Sequence, residues 1–291
     1  MGLIFPIAKP ILSSGIPPLI LAAMTYVISG LFMIPISLLG KRNKKEKSLN
    51  RNDYALLLII GLLGGCFAPF LFFEGLNKTT ASDASVLEGG ELLFTAMIAI
   101  SFFKEKLTKI GYIGMALTII GITLVSLSNS NIQNNLYSFK LNLGNILIIL
   151  STLCWGLDNN ISKIISNRIA NTSKIVVVKS LIGGFLLLII SLILGYQLSL
   201  DLFQIPYLFI LAIGGFGLSL FFFIESLRII GTLKVIVIFS TSAIFGLFFS
   251  FIILKDKITI MQLISTALVI IGLYYVNKDE LNYLKNKGQF K

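Results

Sequence analysis

Lys104-Glu105-Lys106-Leu107-Thr108 is answered further along the chain by Lys255-Asp256-Lys257-Ile258-Thr259. These two charged hinges are 151 residues apart, and so are Phe73-Glu74-Gly75-Leu76 and Ile224-Glu225-Ser226-Leu227, and Ile120-Gly121 and Ile271-Gly272. Nearer the start, Gly2-Leu3 with Lys9 answers to Gly156-Leu157 with Lys163 at a spacing of 154. A spacing held over about 50 residues marks a duplicated unit, since chance matches do not keep register.

Between the hinges the chain is apolar. Of its 291 residues 56% are hydrophobic and 13% charged, and the mean hydropathy is +0.92. A water-soluble protein of this composition would expose large apolar patches, whereas lipid covers them at no cost. The apolar runs do not alternate and are about 20 residues long, which is the length of a membrane-crossing helix and not of the ~10-residue strand of a barrel. They fall at 3–15, 18–39, 55–74, 83–103, 110–128, 143–162, 175–195, 206–225, 235–254 and 259–276. The expected fold is therefore an all-α integral membrane protein of about ten transmembrane helices, arranged as two inverted five-helix repeats. The first repeat occupies 1–128, an external linker 129–142, the second repeat 143–277 and a cytoplasmic tail 278–291. The first run is short, so its helix is expected to begin upstream of Met1.

Charge orients this array. With the N-terminus in the cytoplasm, 18 of the 24 lysines and arginines lie in inside loops, four lie outside, and Lys9 and Lys179 lie within runs. That bias is the positive-inside pattern, and it accounts for the net charge of +11 without nucleic acid. Both termini are then cytoplasmic, in the cell membrane. Because each unit has an odd number of spans, consecutive copies enter the membrane from opposite sides, a design typical of secondary transporters that bind solute near the midplane.

The paired hinges, the Gly-containing last spans and the Trp155-Gly156 opening of the second half resemble EamA repeats of the drug/metabolite transporter superfamily. The likeness runs over essentially the whole chain. Cys154-Trp155-Gly156-Leu157-Asp158-Asn159-Asn160-Ile161-Ser162-Lys163 and Leu87-Glu88-Gly89-Gly90-Glu91-Leu92-Leu93-Phe94-Thr95-Ala96 carry it most closely. The resemblance implies ten helices and alternating-access transport of small organic solutes, often outward, and names no substrate. Leu92 stands where many family members have proline, so the fourth span is expected to be less kinked than usual.

Polar groups inside the runs are the candidate site, because a charge at the bilayer centre costs on the order of 2.5–3.5 kcal/mol and persists where it pairs, lines water or binds something. Glu88 and Glu91 are three apart and share a helix face beside Gly89-Gly90. They read as carboxylates that take up a proton or cation, or as structural partners of a lysine. Asp158-Asn159-Asn160 lies one turn from Trp155, and an aromatic wall beside a carboxylate and amides suits an amine-bearing or zwitterionic solute. The alternative is a packing network with Lys163 or Lys179. Lys179 is expected to snorkel to the cytoplasmic interface, with an ion pair to Asp158 or a hold on a solute carboxylate as the other readings. Ser242 answers to Glu91 in the repeat. Glu74 and Glu225 read as gate or interface residues. Gly61/Gly64/Gly65, Gly183/Gly184 and Gly214/Gly215/Gly217 read as packing surfaces, and Phe221-Phe222-Phe223 as lipid-facing.

No catalytic residue, metal site or cofactor is expected. There is no histidine, and the two cysteines, Cys66 and Cys154, form no CxxC pair. The expected partners are a small-molecule solute, membrane lipid and protons, with the chain a monomer or homodimer. An exchanger of nucleotide sugars or phosphorylated solutes is the alternative transporter, and a membrane sensor or intramembrane enzyme the alternative of another class.

Overall fold

The computed structural model describes residues 1–39, 49–103, 108–127, 142–169, 171–197, 201–229 and 232–286. Most of the first hinge (104–107), the basic loop at 40–48, the linker up to 141 and the end of the tail lie outside the described residues. Among the described residues every regular element is helical. The helices are α1 (Ile4–Ser13), α2 (Pro18–Leu39), α3 (Arg51–Lys78), α4 (Ala81–Leu87, then Gly89–Phe103), α5 (Lys109–Leu127), α6 (Leu143–Ser166), α7 (Thr172–Ile193), α8 (Gln204–Ile229), α9 (Thr232–Phe249, running on through Ser250–Leu254) and α10 (Ile260–Asn286).

Of these, α2, α3, α4, α5, α7 and α8 are long and apolar enough to cross a membrane. Helix α6 has 24 residues but its apolarity is broken by Asp158, Asn159 and Asn160. Helix α10 continues through Asn286, so the segment after Asn277 begins as helix.

Polar residues immediately before the apolar runs start the helices, by accepting from backbone amides that have no helical partner. Asn142 accepts from Gly144 at 2.8 Å for α6, Asn171 from Ser173 at 3.1 Å for α7, and Thr80 from Asp83 at 3.0 Å for α4. Thr259 and Gln262 bond reciprocally across the first turn of α10, at 2.8 and 3.2 Å. Just before it, Lys255 takes the left-handed conformation (φ 55°) that ends α9, and Asp256 then reaches Ser82 Oγ at 2.9 Å on α4.

The packing repeats as the sequence does. Helix α2 packs on α7 and α8 as α7 packs on α2 and α3. Helix α1 packs on α8 and α9 as α6 packs on α3 and α4, and α5 pairs with α10. Individual contacts obey the same exchange. Gly30 lies against Leu181 while Gly184 lies against Val27, and both pairs of equivalents are 154 apart. Gly121 lies against the Ser265 carbonyl while Gly272 lies against that of Gly114, with equivalents 151 apart. Glycine at these crossings lets backbones approach to a distance that a methyl group would block, which is how helices associate where lipid removes the hydrophobic drive.

Candidate functional site

Helix α3 widens by one residue at Leu63–Phe67. The Ala68 amide, which an α-helix would give to Gly64, goes to Leu63 instead, and Pro69 has no N–H to offer. The Gly64 carbonyl is therefore open, and the Trp155 indole N–H takes it at 3.3 Å. Because Gly64 has no side chain, the Asp158 carboxylate lies directly against it. Gly65 likewise lets the Lys179 carbonyl and Gly183 approach α3.

Asp158 and Lys179 form an ion pair at this crossing, with both side chains at most 1% exposed. Ser162 Oγ adds a 3.4 Å contact to the same carboxylate. Lys179 thus does not snorkel as expected. The glycine contacts bring α3, α6 and α7 so close that a carboxylate is within reach, and an amine paired in low dielectric needs no water. Trp155 and Asp158 meet the same glycine, which confirms their common face.

The next two residues of α6 turn toward α4. Asn159 Nδ2 donates to Glu91 Oε1 at 2.8 Å and lies 3.2 Å from Thr95 Oγ1. Asn160 Nδ2 donates to the carbonyls of Thr95 (3.1 Å) and Gly156 (2.8 Å). Both amide nitrogens are therefore committed to groups on α4 and α6. Helix α4 is itself interrupted at Glu88, where the Glu91 amide bonds back three residues to the Glu88 carbonyl at 2.9 Å. Gly89-Gly90 weakens the helix where the missing proline would have done so.

Glu88 is buried, and Ser242 Oγ of α9 lies 3.4 Å from its Oε2. Glu88, Gly89, Glu91, Leu92, Phe239, Ser242 and Ala243 line a recess at this point. It shares Phe239 and Ser242 with a larger cavity of about 380 Å³, walled by Phe222, Phe245, Phe249, Ser219 and the first residues of the chain. Glu88, Glu91, Asn159 and Ser242 therefore form one chain of contacts linking α4 to α6 and α9. The ion pair Asp158–Lys179 lies where α6 meets α3 and α7.

Other expectations resolve differently. Lys9 Nζ donates to the carbonyls of Leu76 (2.7 Å), Asn77 (3.0 Å) and Thr79 (2.6 Å), so it caps the end of α3. Glu74 pairs with Lys78 at 2.8 Å, while Glu225 binds Arg228 at 2.7 Å and accepts from Thr172, joining α8 to α7. Phe223 is buried with its ring centroid 4.5 Å from that of Phe239, and Phe222 faces the cavity, so this stretch is not simply lipid-facing. The widened turn and Thr95 escaped the sequence reading. Thr95, four residues past Glu91 with its hydroxyl on the Glu91 carbonyl at 2.7 Å, was accessible from spacing alone.

A helical membrane protein of two exchanging halves, with ionisable groups gathered between them, is the architecture of a membrane transporter. The chain belongs to the EamA-like transporter family, whose sequence profile matches residues 1–127 and 142–278. An uncharacterized transporter of Methanothermobacter thermautotrophicus is 33% identical over 274 residues, covering 91% of this chain and 79% of its own. The uncharacterized transporter YyaM of Bacillus subtilis is 25% identical over 258 residues, covering 86% and 81%. A solved crystal structure superposes with a TM-score of 0.63 over 94% of both chains at 16% identity, a likeness of fold alone. The family and the names of these relatives point to a transporter rather than an enzyme.

Proposed function

We propose that the chain is a secondary transporter that moves small amine-bearing or amino-acid-like solutes out of the cell by alternating access, with ten spans in two inverted repeats (1–128 and 143–277) and both termini in the cytoplasm. The observation that carries this reading is the acidic pair on the interrupted helix of the first repeat. Glu91 bonds to Asn159 and Glu88 approaches Ser242, both on second-repeat helices. A group held across the line between two moving halves can be made and broken as they move. Glu91, with Glu88, is the solute and proton site. Asn159, Asn160 and Ser242 position it, and Trp155, Asp158 and Lys179 hold the second repeat together behind it. Exchange of phosphorylated solutes is less well supported, because Lys179 is paired and Lys9 is a helix cap.

The test is solute flux in proteoliposomes with a panel of amines, amino acids, purines and sugars, with and without a pH gradient. Gradient-driven flux of amines or amino acids is expected, with the gradient dependence lost in Glu91→Gln. Gradient-driven flux that survives Glu91→Gln would remove the coupling role. Folded protein that moves none of the panel would remove the solute class.

A further inference from the structure

Glu74 and Glu225 stand at equivalent places near the ends of α3 and α8, 151 residues apart. Each pairs with a basic residue one turn on, Lys78 and Arg228. Glu225 has a second partner, the hydroxyl of Thr172, which is the first residue of α7. The position equivalent to Thr172, 154 residues earlier, is Pro18, the first residue of α2. Proline has neither a hydroxyl nor an N–H to give. Where the second repeat closes its corner with a hydrogen bond, the first has a cavity of about 400 Å³, lined by Pro18, Glu74 and apolar side chains of α2, α3 and α7. This cavity shares no lining residue with those beside Glu88.

Its shape is that of a cleft along α3. Cys66 and Leu187 are buried and form the floor, while Phe67, Leu194 and Tyr196 are exposed and form the rim. From Cys66 to Glu74 is about 12 Å of helix. Among the described residues Glu74 is the one charged group in the wall. Helices α2, α3 and α7 are all long and apolar enough to cross a membrane, so an apolar cleft open on their outer side meets acyl chains. Its polar end, with Tyr196, lies where α3 and α7 end, the level of lipid headgroups.

We propose that this cleft binds a phospholipid with a primary-amine headgroup, of the phosphatidylethanolamine kind. The ammonium takes the acceptor position on Glu74 that the Thr172 hydroxyl takes on Glu225. The phosphate lies toward Lys78, and one acyl chain fills the cleft. Charge selects the headgroup. Glu74 and Lys78 present a carboxylate and an ammonium 2.8 Å apart, both partly exposed, and the zwitterionic headgroup presents the complementary pair. A choline headgroup carries the same charges but has no N–H to donate to a carboxylate. An anionic headgroup without an amine would be repelled by Glu74.

Native mass spectrometry of the full chain counts retained lipid, and thermal unfolding in detergent with added lipid reads the affinity. Phosphatidylethanolamine is expected to be retained and to raise Tm at a concentration at least fivefold lower than phosphatidylcholine of the same chains. Glu74→Gln should weaken phosphatidylethanolamine about tenfold, the loss of one charge-assisted hydrogen bond, and leave phosphatidylcholine unchanged. Pro18→Thr copies the second repeat, puts a hydroxyl on Glu74, and should weaken phosphatidylethanolamine in the same way. Leu71→Trp fills the cleft and should abolish retention of both lipids. Equal binding of the two lipids, or an affinity unchanged in Glu74→Gln, would overturn the headgroup class. Retention unchanged in both Leu71→Trp and Pro18→Thr would overturn the site. Glycerophosphoethanolamine, the same headgroup without acyl chains, should not bind at these concentrations. Binding as tight as that of the lipid would make this a site for a soluble amine and overturn the lipid. None of these outcomes bears on flux, so the lipid site and the transport reading stand or fall separately.

Discussion

Where α6 crosses α3, Asp158 fills the space beside Gly64 and reaches Lys179. Where α1 crosses α8, Ile4 fills the space beside Gly215, and Thr25 stands at the position equivalent to Lys179. The two crossings are the same contact made twice, since each member of one stands 151 or 154 residues from its counterpart. One is ionic and the other apolar, so the geometry does not need the charges. A buried ion pair seldom stabilises more than apolar side chains of similar volume. The apolar copy therefore shows what the scaffold alone requires, and the charged copy makes the same crossing with an ion pair.

The comparison breaks most sharply at Lys179. Lys179→Met leaves Asp158 buried without its counter-ion, and unfolding in detergent is expected to show a loss of about 3–5 kcal/mol. Adding Asp158→Leu, which makes this crossing resemble the Ile4 one, should recover most of it. Continued instability of the double variant would mean that the two crossings are not equivalent.

Next in size is the contact with glycine. A methyl group at Gly64 falls into the Asp158 carboxylate, whereas at Gly215 it meets a flexible Ile4 side-chain carbon at 3.0 Å. Gly64→Ala should cost about 1–3 kcal/mol by overpacking. Gly215→Ala should lower Tm by less, and equal losses would show that the ionic crossing is no tighter.

Trp155→Phe keeps a ring beside Phe72 and Phe216 but strips the Gly64 carbonyl of its donor, at an expected cost of about 1 kcal/mol. The smallest effect belongs to Thr25→Val. Among the described residues the buried Thr25 hydroxyl has no hydrogen-bond partner, so its replacement by a methyl of the same shape should leave Tm unchanged or slightly raised. A clear drop would assign that hydroxyl a bond in another conformation.

Much of the architecture was legible because it is repeated. Lys104 to Thr108 and Lys255 to Thr259 declare a duplication by identity alone, and apolar length declares helices in lipid. The pairing of Glu88 and Glu91 on one face also follows from periodicity. The widened turn at Leu63–Phe67 was not legible, since it depends on which amide takes which carbonyl once α6 and α7 are in place. Pro69 was the available signal, five residues past the carbonyl it leaves open. The fate of Lys179 was equally hidden. An amine seven residues into a helix can reach an interface or a neighbour, and only the approach allowed by Gly65 and Gly183 decides.

By itself, then, the sequence determined the helical class, the two related halves and the set of buried polar groups. These follow from hydropathy, from repetition and from the cost of placing charge in lipid, all of which are local properties of the chain. The tertiary structure decided which polar group meets which. Asp158 was sent to Lys179, Asn159 to Glu91 and Lys9 to the end of α3. Those choices turn on distances of a few tenths of an ångström between helices far apart in the chain, and no residue spacing encodes them.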